Sequence, residues 1–260
     1  MINLRIEIKF KPRNSKLLPF NYNHYLYSAI LERITIVDPE LLPIVEAESF
    51  SALTFSRLLV RDRKVLPDKG IVLGSTVSLY VSSSWPEIVR TIAKGFRKKP
   101  EVKVGDAVLR CNGVKFFREP KFGDSLLFST LSPVVVRTYM GENSRIRVWD
   151  LYPDDLDFTV KLKRIMLRRY LHLFGHLPEE RDFSIDVLRF KPVRTLVGNV
   201  YYRGSLIVFR FKGSKDIAKF GYENGFGNFT KLGFGMVKVV SGEQKDDSPE
   251  DQLYEPDEKH

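Results

Sequence analysis

Ile2, Leu4, Ile6, Ile8 and Phe10 alternate with Asn3, Arg5, Glu7, Lys9 and Lys11, the period-two signature of a strand with one buried face. After a loop containing Pro and Asn, Leu26, Ala29, Ile30 and Ile34 recur at helical spacing, and Asp38-Pro39 supplies an N-cap and a first-turn proline for a short second helix. Strands are expected over about 52–61 and 71–82. Ser84-Trp85-Pro86-Glu87 then starts a helix carrying Ile88, Val89, Ile92, Ala93 and Phe96, and 101–117 reads as strand again. The order is β-α-β-β-α-β.

The second half repeats it. A strand over about 126–138 precedes a polar, hairpin-like insertion and a helix from about Asp155 to Phe174, on which Phe158, Leu162, Ile165, Met166, Tyr170 and Leu173 form the apolar stripe. Strands near 183–192 and 200–211 lead to a short helix near Lys215 and a last strand from Gly235 to Val240. Two such units predict an α+β protein of tandem ferredoxin-like (βαββαβ) domains. Their expected limits are 1–120 and 121–240, with Pro and Gly interrupting both patterns across Glu119-Pro120-Lys121-Phe122-Gly123-Asp124. The segment 241–260 is acidic and poor in apolar residues, so it is expected to be disordered.

Charge adds a partner class. That last segment holds eight acidic residues and two lysines, which leaves 40 bases and 24 acids, about +16, in the first 240 residues. A body this basic attracts polyanions through phosphate contact and counterion release, which makes nucleic acid the leading partner and an anionic membrane surface a distant second. No run approaches the roughly 18 apolar residues of a membrane helix, and the N-terminus lacks the pattern of an export signal. Cys111 has no second cysteine for a disulfide or a cysteine-based zinc site. These features predict a soluble, cytoplasmic protein. Two glutamines and four methionines beside 28% charged residues lean towards a thermophilic source.

The most specific motif is Gly225-Phe226-Gly227-Asn228-Phe229-Thr230-Lys231-Leu232-Gly233-Phe234-Gly235. Glycines permit positive φ and close backbone approach, and consecutive free amides in such a loop can cradle a phosphate; the alternative is a tight, bulged turn before the last strand. A nucleotide-cofactor reading fails, because a Rossmann fingerprint leads from a strand into a helix whereas this loop leads into a strand, and the Lys-Ser/Thr of a P-loop is absent. No cofactor is expected.

Gly-Phe-Gly, five residues, Gly-Phe-Gly before the last strand of a second ferredoxin-like half is similar to the signature loop of the CRISPR repeat-RNA-processing endoribonucleases of the repeat-associated mysterious protein (RAMP) superfamily. Pro19-Phe20-Asn21-Tyr22-Asn23-His24-Tyr25-Leu26, the segment from Trp85-Pro86-Glu87-Ile88 to Pro100-Glu101-Val102, and Leu131-Ser132-Pro133-Val134-Val135-Val136 extend the resemblance in family order over nearly all of 1–240. It implies binding of a CRISPR repeat in precursor RNA, and metal-independent cleavage in which the 2′-hydroxyl attacks the neighbouring phosphate and leaves a cyclic phosphate. The familiar archaeal site uses a tyrosine, a histidine and a lysine to orient or deprotonate the nucleophile, protonate the leaving oxygen and stabilise phosphorane charge. Here Leu31 stands at the tyrosine position, Glu46 at the histidine position and Ser51 or Ala52 at the lysine position. The expected outcome is RNA binding without efficient cleavage.

His24, at the start of the first helix, is the histidine that could still act in catalysis; the alternative is a capping or packing role. His172 and His176 are four apart but lack a nearby thiolate or carboxylate, so no metal site is expected. Lys161, Arg164, Arg168 and His172 share a helix face that reads either as solvated or as phosphate-contacting. Arg137, Arg145 and Arg147 extend a basic track with the glycine loop (Gly225, Gly227, Lys231, Gly233 and Gly235), and bases could stack on Tyr139 and Trp149. Three functions follow: a non-catalytic repeat-RNA binder, an active endoribonuclease using His24 or a lysine such as Lys231, or an RNA-binding structural subunit of a CRISPR ribonucleoprotein effector. A homodimer is left open.

Overall fold

The computed structural model describes residues 4–13, 17–46, 51–67, 69–142 and 145–240, except the side chains of 140–146. The acidic segment 241–260 and the Arg145 side chain therefore lie outside the described residues.

The first half comprises, in chain order, β1 (Arg5–Pro12), β2 (Leu17–Leu18), α1 (Asn23–Val37), α2 (Leu42–Glu46), β3 (Thr54–Phe55), β4 (Leu59–Val60), β5 (Lys64–Leu66), β6 (Gly70–Val72), β7 (Val77–Ser82), α3 (Pro86–Lys98), β8 (Glu101–Val104) and β9 (Ala107–Phe117). Its main antiparallel sheet runs β3-β7-β1-β9-β8, with β4 also pairing β7. Ile6, Ile8 and Phe10 of β1 lie beneath α1 and α3, whose Leu26, Ile30, Ile34, Ile88, Ile92 and Phe96 are buried in the same core. Each fully buried large apolar side chain contributes about 1.5–3 kcal/mol. Pro86 occupies the first turn of α3, while Arg97 and Lys98 face the negative end of its dipole. The expected strand over 52–61 is broken into β3 and β4, because the Arg57 amide turns away from β7. Ser56 exchanges bonds with Tyr80 through its backbone N–H and its hydroxyl, and the Arg57 amide donates to Leu131 of the second half. The small sheet β2-β6-β5 was not anticipated from sequence.

The second half comprises β10 (Ser125–Thr130), β11 (Val136–Glu142), β12 (Arg145–Leu151), α4 (Phe158–Phe174), β13 (Phe183–Val197), β14 (Val200–Gly213), α5 (Lys215–Asn224) and β15 (Val237–Val239). Its sheet runs β13-β14-β10-β15, again antiparallel. Both halves thus place the first strand of the unit centrally, between its third and its last, and the molecule is a tandem ferredoxin-like α+β protein. The strand expected over 126–138 divides. Pro133 has no amide to continue a ladder, Val134 and Val135 keep single bridges to Ser205 and Asn228, and β11 leaves to form a two-stranded ribbon with β12. β13 and β14 are longer than expected and meet in a two-residue Gly198-Asn199 turn, with Gly198 at φ +60°.

One core draws on residues 6–109 and another on 128–237. Between them, β1 departs from its expected alternation. Arg5 and Glu7, predicted on a solvent face, are only 5% and 8% exposed, because the second half covers that face near Arg5. The Arg5 guanidinium donates to Val237 O at 2.8 Å and Tyr222 O at 2.5 Å and lies 3.6 Å over the Tyr222 ring. Burial lowers its pKa to about 10, so it remains charged at neutral pH. Ser84, ahead of α3, donates from both its amide and its hydroxyl to Asn224 Oδ1 at the end of α5. No helix among the described residues is long and apolar enough to cross a membrane.

Candidate functional site

The glycine-rich loop is built into this seam. Ser214 caps α5 by accepting from Ile217 N–H, and the helix stops at Gly225, whose φ is +80°. Gly235 has φ +73°, and a Cβ there would fall 1.9 Å from the Phe226 carbonyl oxygen; at Gly233, φ +82°, it would fall 2.3 Å from the Phe55 ring. Only glycine fits such backbone. The loop therefore closes on itself and on the first half. Phe226 N–H donates to Gly235 O, Gly235 N–H to Pro133 O and Asn228 N–H to Val135 O, each at 2.8 Å. Gly225 and Gly233 N–H donate to Gly221 and Thr230 carbonyls. The amides of Gly225, Phe226, Asn228, Gly233 and Gly235 are thus engaged by the fold itself. All four predicted loop glycines are buried.

Arg169 holds this loop from beneath. It is 4% exposed and donates to Gly225 O (2.7 Å), Gly227 O (3.0 Å), Asn224 O (2.7 Å) and Thr230 Oγ1 (3.0 Å). Burial pulls its pKa down to about 9, so it stays protonated at neutral pH. Sequence reading missed it between the exposed Arg168 and Tyr170, although a three-to-four-residue step from Ile165 and Met166 puts position 169 on the buried stripe.

The upper side of the loop meets α1 and α2. Asn23 Nδ2 donates to Leu232 O at 2.9 Å, Thr54 Oγ1 to Phe234 O at 3.0 Å, and Lys231 Nζ to Glu46 O at 2.6 Å. Tyr27, one turn before Leu31 on α1, has its pKa raised to about 12 by burial and then by the Glu46 carboxylate. Tyr27, Glu46 and Lys231 therefore converge where the family site is expected. Leu31 is half-buried against the first core, whereas Ser51 and Ala52 are buried, so neither 51 nor 52 presents a side chain to solvent. His24 is half-buried, with its ring 3.8 Å from that of Tyr25.

The predicted basic track separates into different environments. Arg137 is held by Asp150, Nε at 2.6 Å and Nη2 at 2.9 Å, and its guanidinium lies 4.6 Å from the Phe229 ring. Its hydrogen bonds to the Asp150 carboxylate raise its pKa. Arg147 is exposed on β12. Lys161 is half-buried, and Arg164 and Arg168 are exposed on the side of α4 away from Arg169; His172 is exposed there too. His176 lies edge-on to Tyr170 and uses its ring Nδ1 with Leu177 O.

Two concave features complete the surface. A cavity of about 160 Å³ opens between the halves, lined by Tyr22, Arg57, Arg63, Arg189, Phe190 and Leu206 among others. A wider groove lies on the second half between β11–β12 and β13–β14, with Trp149, Tyr152, Arg194, Tyr201 and Arg203 along it. Asn21 Oδ1 accepts from Leu196 N–H at 3.3 Å, so the β13–β14 hairpin abuts the loop that leads into α1.

Comparison with known proteins decides the family. Residues 17–115 match the model for the CRISPR-associated protein Cas6, N-terminal, and residues 117–239 that for the CRISPR-associated protein Cas6, C-terminal. The chain belongs to the Cas6 family. It is 48% identical over 239 residues, 91% of this chain and 100% of the relative, to the CRISPR-associated endoribonuclease-like protein Cas6nc of Pyrococcus horikoshii. A solved structure described as that of a Cas6-related gene from Pyrococcus furiosus superposes with a TM-score of 0.89 at 46% identity, covering 93% of this chain and 100% of that one. Another, described as a RAMP protein binding different RNA substrates, gives 0.87 at 48% identity over 92% and 100%. The two Cas6 matches part at 115–117, the end of β9, beyond which the chain crosses to the second sheet.

Proposed function

We propose that this Cas6-family chain binds CRISPR repeat RNA and does not cleave it efficiently. The observation that carries the reading is the side-chain inventory at the family's cleavage position: Leu31 packs against the first core, and Ser51 and Ala52 are buried. Neither leucine nor a buried serine or alanine can transfer a proton or neutralise a phosphorane, and loss of general acid-base help typically lowers rate by about 10²- to 10⁴-fold. Binding is supported by the +16 of the first 240 residues and by the relatives, one named endoribonuclease-like and one described as binding different RNA substrates. The test is incubation of the protein with 5′-labelled repeat RNA in EDTA. A stable complex and no cyclic-phosphate product over hours are expected. Efficient cleavage that disappears in His24→Ala would reject it.

A second reading has its own observation. Lys231 Nζ lies 2.6 Å from the Glu46 carbonyl oxygen and Tyr27 lies within the field of the Glu46 carboxylate, so a phenol and an ammonium persist near the expected phosphate. If they support residual cleavage, Tyr27→Phe and Lys231→Ala should each remove it.

A further inference from the structure

We propose that the groove between the β11–β12 ribbon and the β13–β14 hairpin is a base-stacking site, in which Trp149 and Tyr201 hold unpaired bases of the bound RNA. This deepens the RNA-binding reading and rests on it.

The groove collects what a folded protein normally covers. Trp149 is 47% exposed, Tyr201 54%, Val148 50% and Val200 47%, four large apolar side chains at one end of the second half. Burying them would be favourable at roughly 25 cal/mol per Å², and nothing among the described residues does so. Their surroundings distinguish the place from a bare apolar patch. The Arg194 guanidinium lies 3.9 Å from the Tyr201 ring centre, and that of Arg203 lies 4.6 Å from Trp149 and 4.5 Å from Tyr152. Arg203 Nε also donates to Tyr152 Oη at 3.1 Å, which fixes its plane. A guanidinium occupies one face of a ring and leaves the other for a flat partner.

The backbone explains why these groups share one side. Arg194 pairs with Arg203 and Leu196 with Tyr201 across the hairpin, so alternate positions 194, 196, 201 and 203 lie on one face. Thr195 and Tyr202 pair on the other, where Tyr202 packs with Phe234 and Phe229. The hairpin is thereby fastened to the glycine loop by its inner face while its outer face stays open.

Charge selects the occupant. Asp150, the acid lining the groove, is buried and satisfied by Arg137 and by the Arg203 amide at 3.1 Å. Arg194 and Arg203 therefore give the groove a positive character suited to a polyanion that also offers flat apolar faces. Single-stranded RNA does so, whereas duplex bases are already stacked. Sequence reading contributed Trp149 and Arg137 to this groove; Tyr201, Arg194 and Arg203 arrive from a hairpin some fifty residues later in the chain.

The experiment uses intrinsic fluorescence in Trp85→Phe, which leaves Trp149 as the sole tryptophan. The probes are a uridine decamer and an abasic ribose-phosphate chain of equal length. Saturable quenching of Trp149 by the decamer, but not by the abasic chain, is expected. Because stacking typically stabilises by about 1–3 kcal/mol per base, Trp149→Ala and Tyr201→Ala should each weaken decamer binding about fivefold or more. Trp149→Phe should recover most of that loss, and abasic-chain affinity should change less than twofold. A wild-type protein that binds neither the decamer nor repeat RNA would remove the RNA-binding reading altogether. RNA binding with silent Trp149 emission, or alanine variants within twofold, would overturn the groove alone. So would sedimentation showing a dimer that Trp149→Ala dissociates while RNA affinity persists, since the patch would then serve a second copy.

Discussion

Arg169 donates from Nη1 to the Gly225 carbonyl oxygen at 2.7 Å, joining the middle of α4 to the first glycine of the signature loop across 56 residues of sequence. The same guanidinium reaches three further acceptors, so its removal would orphan several buried oxygens at once. Arg169→Met should destabilise the fold by about 3 kcal/mol or more, measured by urea unfolding. Arg169→Lys should recover little, because one ammonium cannot reproduce the planar fork. A loss below about 1 kcal/mol for Arg169→Met would contradict this role.

Glu223 predicts a pH dependence. It is 3% exposed, and burial raises its pKa to about 7; Lys219 and Arg5 oppose the shift and Glu119 adds to it. An unfolded glutamate ionises near 4.5, so the native state binds the extra proton. Stability from this group is therefore fully present below about 4.5 and is lost as pH rises to about 7. Glu223→Gln should remove that decline and stabilise the protein at pH 8 by roughly 2–3 kcal/mol. Parallel stability curves for the two proteins between pH 4 and 8 would refute it.

The loop glycines should be intolerant for steric reasons. Gly235→Ala would place Cβ 1.9 Å from Phe226 O at a positive φ and should destabilise by more than about 2 kcal/mol. Gly123→Ala, with nothing within 4 Å, is the control and should be near neutral. Equal melting temperatures for the two variants would show that the loop relaxes freely.

RNA affinity should fall by about 10²-fold or more between roughly 50 and 200 mM salt if several phosphates are neutralised. Lys161, Arg164 and Arg168 replaced together by alanine should flatten that slope if α4 contacts phosphate. An unchanged slope assigns them to a solvated face.

Restoring chemistry is constrained by burial. Ala52 is fully buried, so a lysine there would place an ammonium in the core. Lys231 already lies against Glu46. Leu31→Tyr with Glu46→His, keeping Lys231, should therefore give detectable cyclic-phosphate product, which Lys231→Ala should abolish. Product that survives Lys231→Ala would exclude that lysine.

The alternation of Ile6, Ile8 and Phe10, the stripe from Phe158 to Tyr170 and the double glycine motif were legible in the sequence because each is a local periodicity or a local backbone requirement. The tandem topology followed from their order. Local pattern also misled: Arg5 and Glu7 read as a solvated face. What only the tertiary structure decided depends on chain segments remote from one another. A second domain covers the outer face of β1, a buried arginine of α4 stands beneath the glycine loop, and Trp149 meets Arg203 from another hairpin. A sequence carries the spacing of residues along the chain, whereas burial, pairing and access to solvent are properties of which surfaces the completed fold brings into contact.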